Sequence, residues 1–266
     1  MIDLKDIKLF MLDMDGTIYN EDTLIPGALD FFHTLQKQGK KYVFMTNNSS
    51  KGKVTYVEKL SRLGIDATTD DIASSVNATV MYLNENKPGA RLYVIGTESL
   101  RKELTDEKFE VVPVDYREPD VDYVLLGFDT ELNYEKIRGA CYYISRGYKY
   151  LGTNCDLKCP IGNDKYIPDC GAIAKLLELA TNRMPLFLGK PDRTIVDSVS
   201  KKWNIPISNI ACVGDRLYTD IAVGINAGAT SICLFTGEAQ PEDLLKTKFK
   251  PDYSFDSIKE LNDAIQ

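Results

Sequence analysis

Histidine is almost absent from this chain: His33 is the single one among 266 residues. No CxxC pair occurs either, and the six cysteines (Cys141, Cys155, Cys159, Cys170, Cys212 and Cys233) are scattered. Cys155, Cys159 and Cys170 are near enough in sequence to share a metal, but His33 lies far from them. The expected state is therefore reduced, partly buried thiols in a cytoplasmic protein. No apolar run approaches the roughly 18 to 20 residues that span a bilayer. The N-terminal stretch has no basic segment followed by an apolar core, so neither a membrane nor a signal peptide is expected. Basic charge is also short. Lys and Arg number 32 against 39 Asp and Glu, for a net charge of −7. That balance excludes nucleic acid as the main partner, since phosphate backbones demand a basic surface. It leaves room for a small phosphorylated metabolite, because one local cation can dominate the field inside a cleft.

What is present is an alternation of strand-like and helix-like segments, which predicts an α/β fold with a parallel sheet covered by helices. Residues 8–13 read as the first strand. Pro26-Gly27 opens a helix with Ala28, Phe31, Phe32 and Leu35 on one face, ended by Gly39. "KYVFMTNNSS" (41–50) reads as a second apolar strand ending in small polar residues, and Ser49 or Ser50 is placed to cap the helix after it. Further strands are expected at "RLYVIG", "DYVLLGFD", "YKYLGTN", "LFLGKPD", "NIACVGD" and "TSICLF". The pattern of the first part resumes near residue 186. The expected organisation is a doubly wound parallel-sheet core, residues 1–80 plus 186–266, with an α/β domain inserted at 81–185.

Chemistry-bearing residues fall at the ends of apolar runs. Asp13 and Asp15 follow the first strand, and Thr46, Asn47 and Asn48 the second. Lys190 comes just after "LFL", and Asp215 and Asp220 after "IACVG". In an open parallel sheet, ligands sit beyond the C-terminal strand ends. Carboxylates held together resist joint ionisation. A metal ion, a shared proton or chemistry using both acids would offset that cost. A hard divalent cation such as Mg²⁺ takes carboxylate oxygens and keeps several waters. With it bound, Asp13 can stay ionised as a nucleophile toward phosphorus while Asp15 holds a proton for the departing oxygen. Thr46, with Asn47 beside it, and Lys190 would supply donors to phosphoryl oxygens.

The segments "DMDGTIY", "TNNSS", "GKP" and "GDRLYTD", in this order, resemble the four motifs of the haloacid-dehalogenase superfamily. The combination is most similar to its NagD-like, 4-nitrophenylphosphatase-type branch. "GTNCDLKCP" followed by "IPDCGAI" resembles the cap signature of that branch. The resemblance covers nearly the whole chain. It implies a Rossmann-like core with an inserted cap, and Mg²⁺-dependent hydrolysis of small phosphomonoesters. Asp13 would become the aspartyl phosphate, and Asp15 would be the acid and then the base for water. Thr46 and Lys190 would bind the phosphoryl group. Asp13, the backbone carbonyl of Asp15 and Asp215 would hold the metal, with Asp220 in support. Asn154, Asp156, Lys158 and Cys159 lie where the family's substrate-facing loop lies, and are the expected specificity residues. The chain departs from the branch at Pro168-Asp169-Cys170-Gly171, where Pro-Gly-x-Gly is usual.

A phospho-receiver module also clusters acids with a Thr and a Lys, but such domains are about half this length and place the phosphorylated Asp on a later strand. A phosphotransferase or mutase of the same superfamily would share the core and differ in the acceptor. Association of two copies is left open by the sequence.

Overall fold

In the computed structural model the described residues are 3–161 and 165–266. The chain runs β1 (Leu9–Leu12), β2 (Tyr19–Asn20), β3 (Thr23–Leu24), α1 (Ala28–Lys37), β4 (Lys41–Thr46), α2 (Lys53–Arg62), β5 (Ile72–Ser74) and α3 (Ser75–Asn86). It continues through β6 (Arg91–Ile95), α4 (Glu98–Asp106), β7 (Glu110–Val111), β8 (Tyr123–Leu126), α5 (Tyr134–Ile144) and β9 (Lys149–Gly152). Next come β10 (Lys158–Pro160), β11 (Tyr166–Pro168), α6 (Cys170–Thr181), β12 (Leu186–Phe187), α7 (Thr194–Trp203) and β13 (Ile210–Gly214). The last elements are α8 (Ala222–Ala227), β14 (Thr230–Leu234), β15 (Tyr253–Phe255) and α9 (Ile258–Ile265). Among the described residues no helix is long and apolar enough to cross a membrane.

The chain divides into two compact units. The first comprises Met1–Thr46, Lys53–Ala73 and Lys190–Gln266. Its sheet has the order β15-β14-β13-β1-β4-β5. β1 lies at its centre, parallel to β13 on one side and β4 on the other, with Leu12 level with both Val213 and Phe44. Every residue of β1 is buried, as a strand covered on both faces requires. α1 buries Ala28, Phe31, Phe32 and Leu35, the four residues its periodicity selects. Phe31 packs edge-on against Phe10 with ring centroids 5.5 Å apart, and Phe32 meets Phe44 at 5.7 Å. Each such side chain contributes about 1.5–3 kcal/mol of burial, enough together to fix the strand order that brings the acids to one edge.

The second unit comprises Asn47–Gly52 and Ser74–Gly189. Its sheet, β12-β9-β8-β6-β7, is also parallel. Two features set its extent beyond the expected 81–185. α3 places Val76 and Leu83 in this unit's apolar core, and β12 pairs with β9. The six residues after Thr46 also belong here. That grouping explains why neither Ser49 nor Ser50 caps α2, as had been expected. The Ser49 hydroxyl accepts the Phe128 N–H and pairs with Thr153, while the Ser50 hydroxyl donates to Asn48. Sequence reading also passes over β5 and β15, short edge strands of three residues each.

Candidate active site

The parallel register puts the C-terminal ends of β1, β4 and β13 at one edge of the first unit's sheet. Asp13 follows β1 and donates its backbone N–H to the Val213 carbonyl at 2.9 Å, so the strand pairing itself sets its height. Thr46 closes β4 and is buried. Asp215 follows β13. A π-turn over Leu217–Ile221 then folds the chain back so that Asp220 returns to the strand end, a local distortion frequent at functional sites. The Asp220 carboxylate accepts the Arg216 backbone N–H at 3.1 Å.

Asp13, Asp215 and Asp220 each offer a carboxylate oxygen within 4.8 Å of the others. Lys190 is buried among them, its Nζ 2.6 Å from Asp13 Oδ1 and 2.6 Å from Asp220 Oδ1. Burial alone would lower the lysine pKa, but the charges of Asp13 and Asp220 outweigh it and hold the ammonium protonated. Burial also raises all three acids. Asp13 is pushed up by burial and by Asp215, against the pull of Lys190. Burial with the charge of Asp220 brings Asp215 to about 6, and burial with the charge of Asp13 brings Asp220 to about 6. Against three carboxylates, the Lys190 ammonium and the neighbouring Arg216 guanidinium still leave a surplus of negative charge. Asp215 is steadied by the Thr17 hydroxyl at 3.1 Å and the Glu238 N–H at 2.8 Å.

Two glycines make room for this crowding. Gly16 has φ +90°, and a Cβ there would come within 2.7 Å of Asp215 Oδ2. At Gly214 a Cβ would meet the Cβ of Asp220 at 2.3 Å. Side chains at either position would displace a carboxylate. The donor set of oxygens only, the surplus negative charge and the small separation fit a hard divalent cation such as Mg²⁺.

Asp15 is set apart from this cluster. Its side chain is 57% exposed and its Oδ1 lies 3.9 Å from Lys59 Nζ. The two acids of the Asp-x-Asp motif therefore occupy different environments, one partly buried beside Lys190 and one open to solvent.

The remaining residues singled out from the sequence lie in the second unit. Asn47, grouped with Thr46 in the sequence reading, donates its amide to Asp156 Oδ2 at 2.7 Å. Asp156 Oδ2 also accepts from Asn154 Nδ2 at 3.0 Å, and Asn154 Nδ2 reaches Asp169 Oδ1, also at 3.0 Å. Asn154 and Asp156 are buried. The expected substrate-facing loop is thus split: its first half is committed to internal hydrogen bonds. Lys158 is exposed on β10 with its Nζ 4.5 Å from the Tyr166 ring centroid, and Cys159 is half-buried beside it. At the departure from the branch pattern, Asp169 serves as N-cap of α6, accepting the Cys170 N–H at 2.5 Å. Sequence reasoning passed over Thr17 and Arg216. Both stand inside quoted motifs, next to the acids they influence.

Comparison with known proteins identifies the family. A haloacid dehalogenase-like hydrolase model matches residues 10–110, and a second HAD-hydrolase-like model matches 187–261. An acid sugar phosphatase of Staphylococcus epidermidis is 35% identical over 98% of each chain. The crystal structure of a 4-nitrophenylphosphatase from Thermotoga maritima superposes with a TM-score of 0.93, at 40% identity and complete coverage of both chains. A structure carrying the name NagD is 38% identical, with a TM-score of 0.89 over 98% of this chain and 99% of its own. The chain is an enzyme of the haloacid dehalogenase-like hydrolase family, in the branch that contains NagD and the 4-nitrophenylphosphatases.

Proposed function

We propose that this enzyme hydrolyses phosphomonoesters of small metabolites in the cytoplasm, with Asp13 as nucleophile. The observation that carries the reading is the trio Asp13, Asp215 and Asp220 gathered around buried Lys190 at the sheet edge. Asp13 Oδ attacks phosphorus, forming an acyl-phosphate bond as the bond from phosphorus to the ester oxygen breaks. Asp15, open to solvent, gives its proton to the leaving alcohol and then takes one from water. That water attacks phosphorus, releasing inorganic phosphate and restoring the Asp13 carboxylate. Lys190 and Thr46 donate to the phosphoryl oxygens that carry charge in transfer. Asp13, Asp215 and the Asp15 carbonyl, with Asp220 in support, would hold Mg²⁺. When bound, the ion neutralises the carboxylates' mutual repulsion and draws charge from the phosphoryl oxygens.

The insert would serve as a cap that restricts access to small leaving groups. Relatives named acid sugar phosphatase and 4-nitrophenylphosphatase make sugar phosphates and aryl phosphates the first classes to test. The experiment is a phosphate-release assay over a panel of phosphomonoesters with and without Mg²⁺. Mg²⁺-dependent release from small esters is expected. Release from none of them, or undiminished release after exhaustive EDTA treatment, would overturn the reading.

A further inference from the structure

The segment Asn47–Gly52, which directly follows Thr46, lies along the C-terminal ends of three strands of the second unit's sheet. The Thr97 hydroxyl, just past β6, donates to the Ser50 carbonyl at 3.1 Å. The Phe128 N–H, just past β8, donates to the Ser49 hydroxyl at 2.8 Å. Thr153, just past β9, pairs its hydroxyl with Ser49 at 2.9 Å. Ser75 donates to the Asn47 carbonyl at 2.9 Å. This strand edge is where open parallel sheets hold ligands, and here the chain's own segment fills it.

Asp156 closes the arrangement. It is 7% exposed, and the donors to its Oδ2 are two neutral amides, those of Asn47 and Asn154. A carboxylate turned inward onto amides is poorly placed to sort leaving groups. It is well placed to fix Asn47, and through one peptide bond the end of β4.

We propose that Asp156 is a positioning residue for the phosphate-binding end of β4: by holding the Asn47 amide it sets the peptide after Thr46, and with it the Thr46 donors. The inference rests on the phosphatase reading above. It replaces the discriminating role expected for Asp156 with a uniform one. A residue that acts on the phosphate end touches what every phosphomonoester shares, so its loss affects all substrates alike.

The test measures inorganic phosphate affinity in the presence of Mg²⁺, and kcat/KM over a phosphomonoester panel, for wild type, Asp156→Ala, Asp156→Asn, Asn47→Ala and the Asn47→Ala/Asp156→Ala double variant. Asp156→Ala is expected to weaken phosphate binding about tenfold and to lower kcat/KM by the same factor on every substrate, keeping their order. The double variant should lose less than the sum of the two single losses, because both singles remove the Asn47–Asp156 hydrogen bond. Asp156→Asn keeps an acceptor oxygen and should recover most of the loss. If Asp156→Ala does not fold, Asn47→Ala and Asp156→Asn carry the comparison. Unchanged phosphate affinity in folded variants, additive losses or a reordered panel would overturn the proposal. A wild type that neither binds phosphate nor releases it would overturn the phosphatase reading, and this inference with it.

Discussion

Replacing Lys190 by Met tests how the carboxylate cluster is held together. The ammonium is 3% exposed and 2.6 Å from both Asp13 and Asp220. Removing one partner of a buried ion pair costs about 3–5 kcal/mol, because a charge is left buried without compensation. The acids soften the loss by taking up protons, and the pH dependence follows from their direction of shift. Asp215 and Asp220 sit near 6 in the fold against an ordinary 3.8. A carboxyl raised on folding contributes stability that is fully present below its unfolded value and is lost as pH rises through its folded value. For one group displaced from 3.8 to about 6, the wild type itself loses on the order of 3 kcal/mol as pH rises. Without the ammonium, which pulls Asp13 and Asp220 down, those acids rise further and the variant loses more over the same range. In metal-free buffer, Lys190→Met should therefore melt about 10 °C below wild type at pH 7.5, and the gap should narrow markedly at pH 5. The assay is thermal unfolding followed by circular dichroism in EDTA at both pH values. A gap that is the same at pH 5 and 7.5, or a loss under about 1 kcal/mol at pH 7.5, would refute the counter-ion role.

Four further outcomes are expected. Asp15→Asn should cost about 10²- to 10⁴-fold in kcat on alkyl phosphates and distinctly less on aryl phosphates, whose leaving groups need no proton; equal losses on both would remove its acid role. Gly16→Ala should destabilise the fold by about 1–3 kcal/mol and weaken Mg²⁺ binding, read by calorimetry, since its Cβ would press on Asp215. Mg²⁺ at a hundredfold excess over its dissociation constant should add about 2.7 kcal/mol to wild-type stability, and an unshifted melting temperature would remove the metal site. Efficient dephosphorylation of a folded phosphoprotein should not occur, and observing it would contradict the cap's role.

How much could be read from the sequence follows from where each signal resides. Apolar runs ending in Asp13, Thr46 and Asp215 mark strand ends, and α1's buried face is written in its 3.6-residue period. These local signals sufficed for the parallel sheet and for most of the candidate site. Asn47–Gly52 was different. Its membership of the second unit depends on hydrogen bonds from Ser49 to Thr153 and from Asn47 to Asp156, partners about a hundred positions away in sequence. No periodicity encodes such pairings. The same holds for Asn154 and Asp156, which read as polar loop residues and are buried because they bond to each other. Asp220 could be placed near the site, but not as an equal member of the cluster. That position depends on the π-turn, and Leu217–Ile221 carries no proline or glycine to announce it.

The central claim, that Asp13 is the residue that accepts the phosphoryl group, has a direct measurement. Enzyme mixed with a reactive phosphomonoester and Mg²⁺ is quenched in acid within a single turnover, and its peptides are mapped by mass spectrometry. The account predicts one added phosphoryl group on the peptide containing Asp13, labile to hydroxylamine as an acyl phosphate is, and absent from Asp13→Asn. A phosphoryl group on any other residue, or a burst of phosphate with Asp13→Asn still turning over, would contradict it.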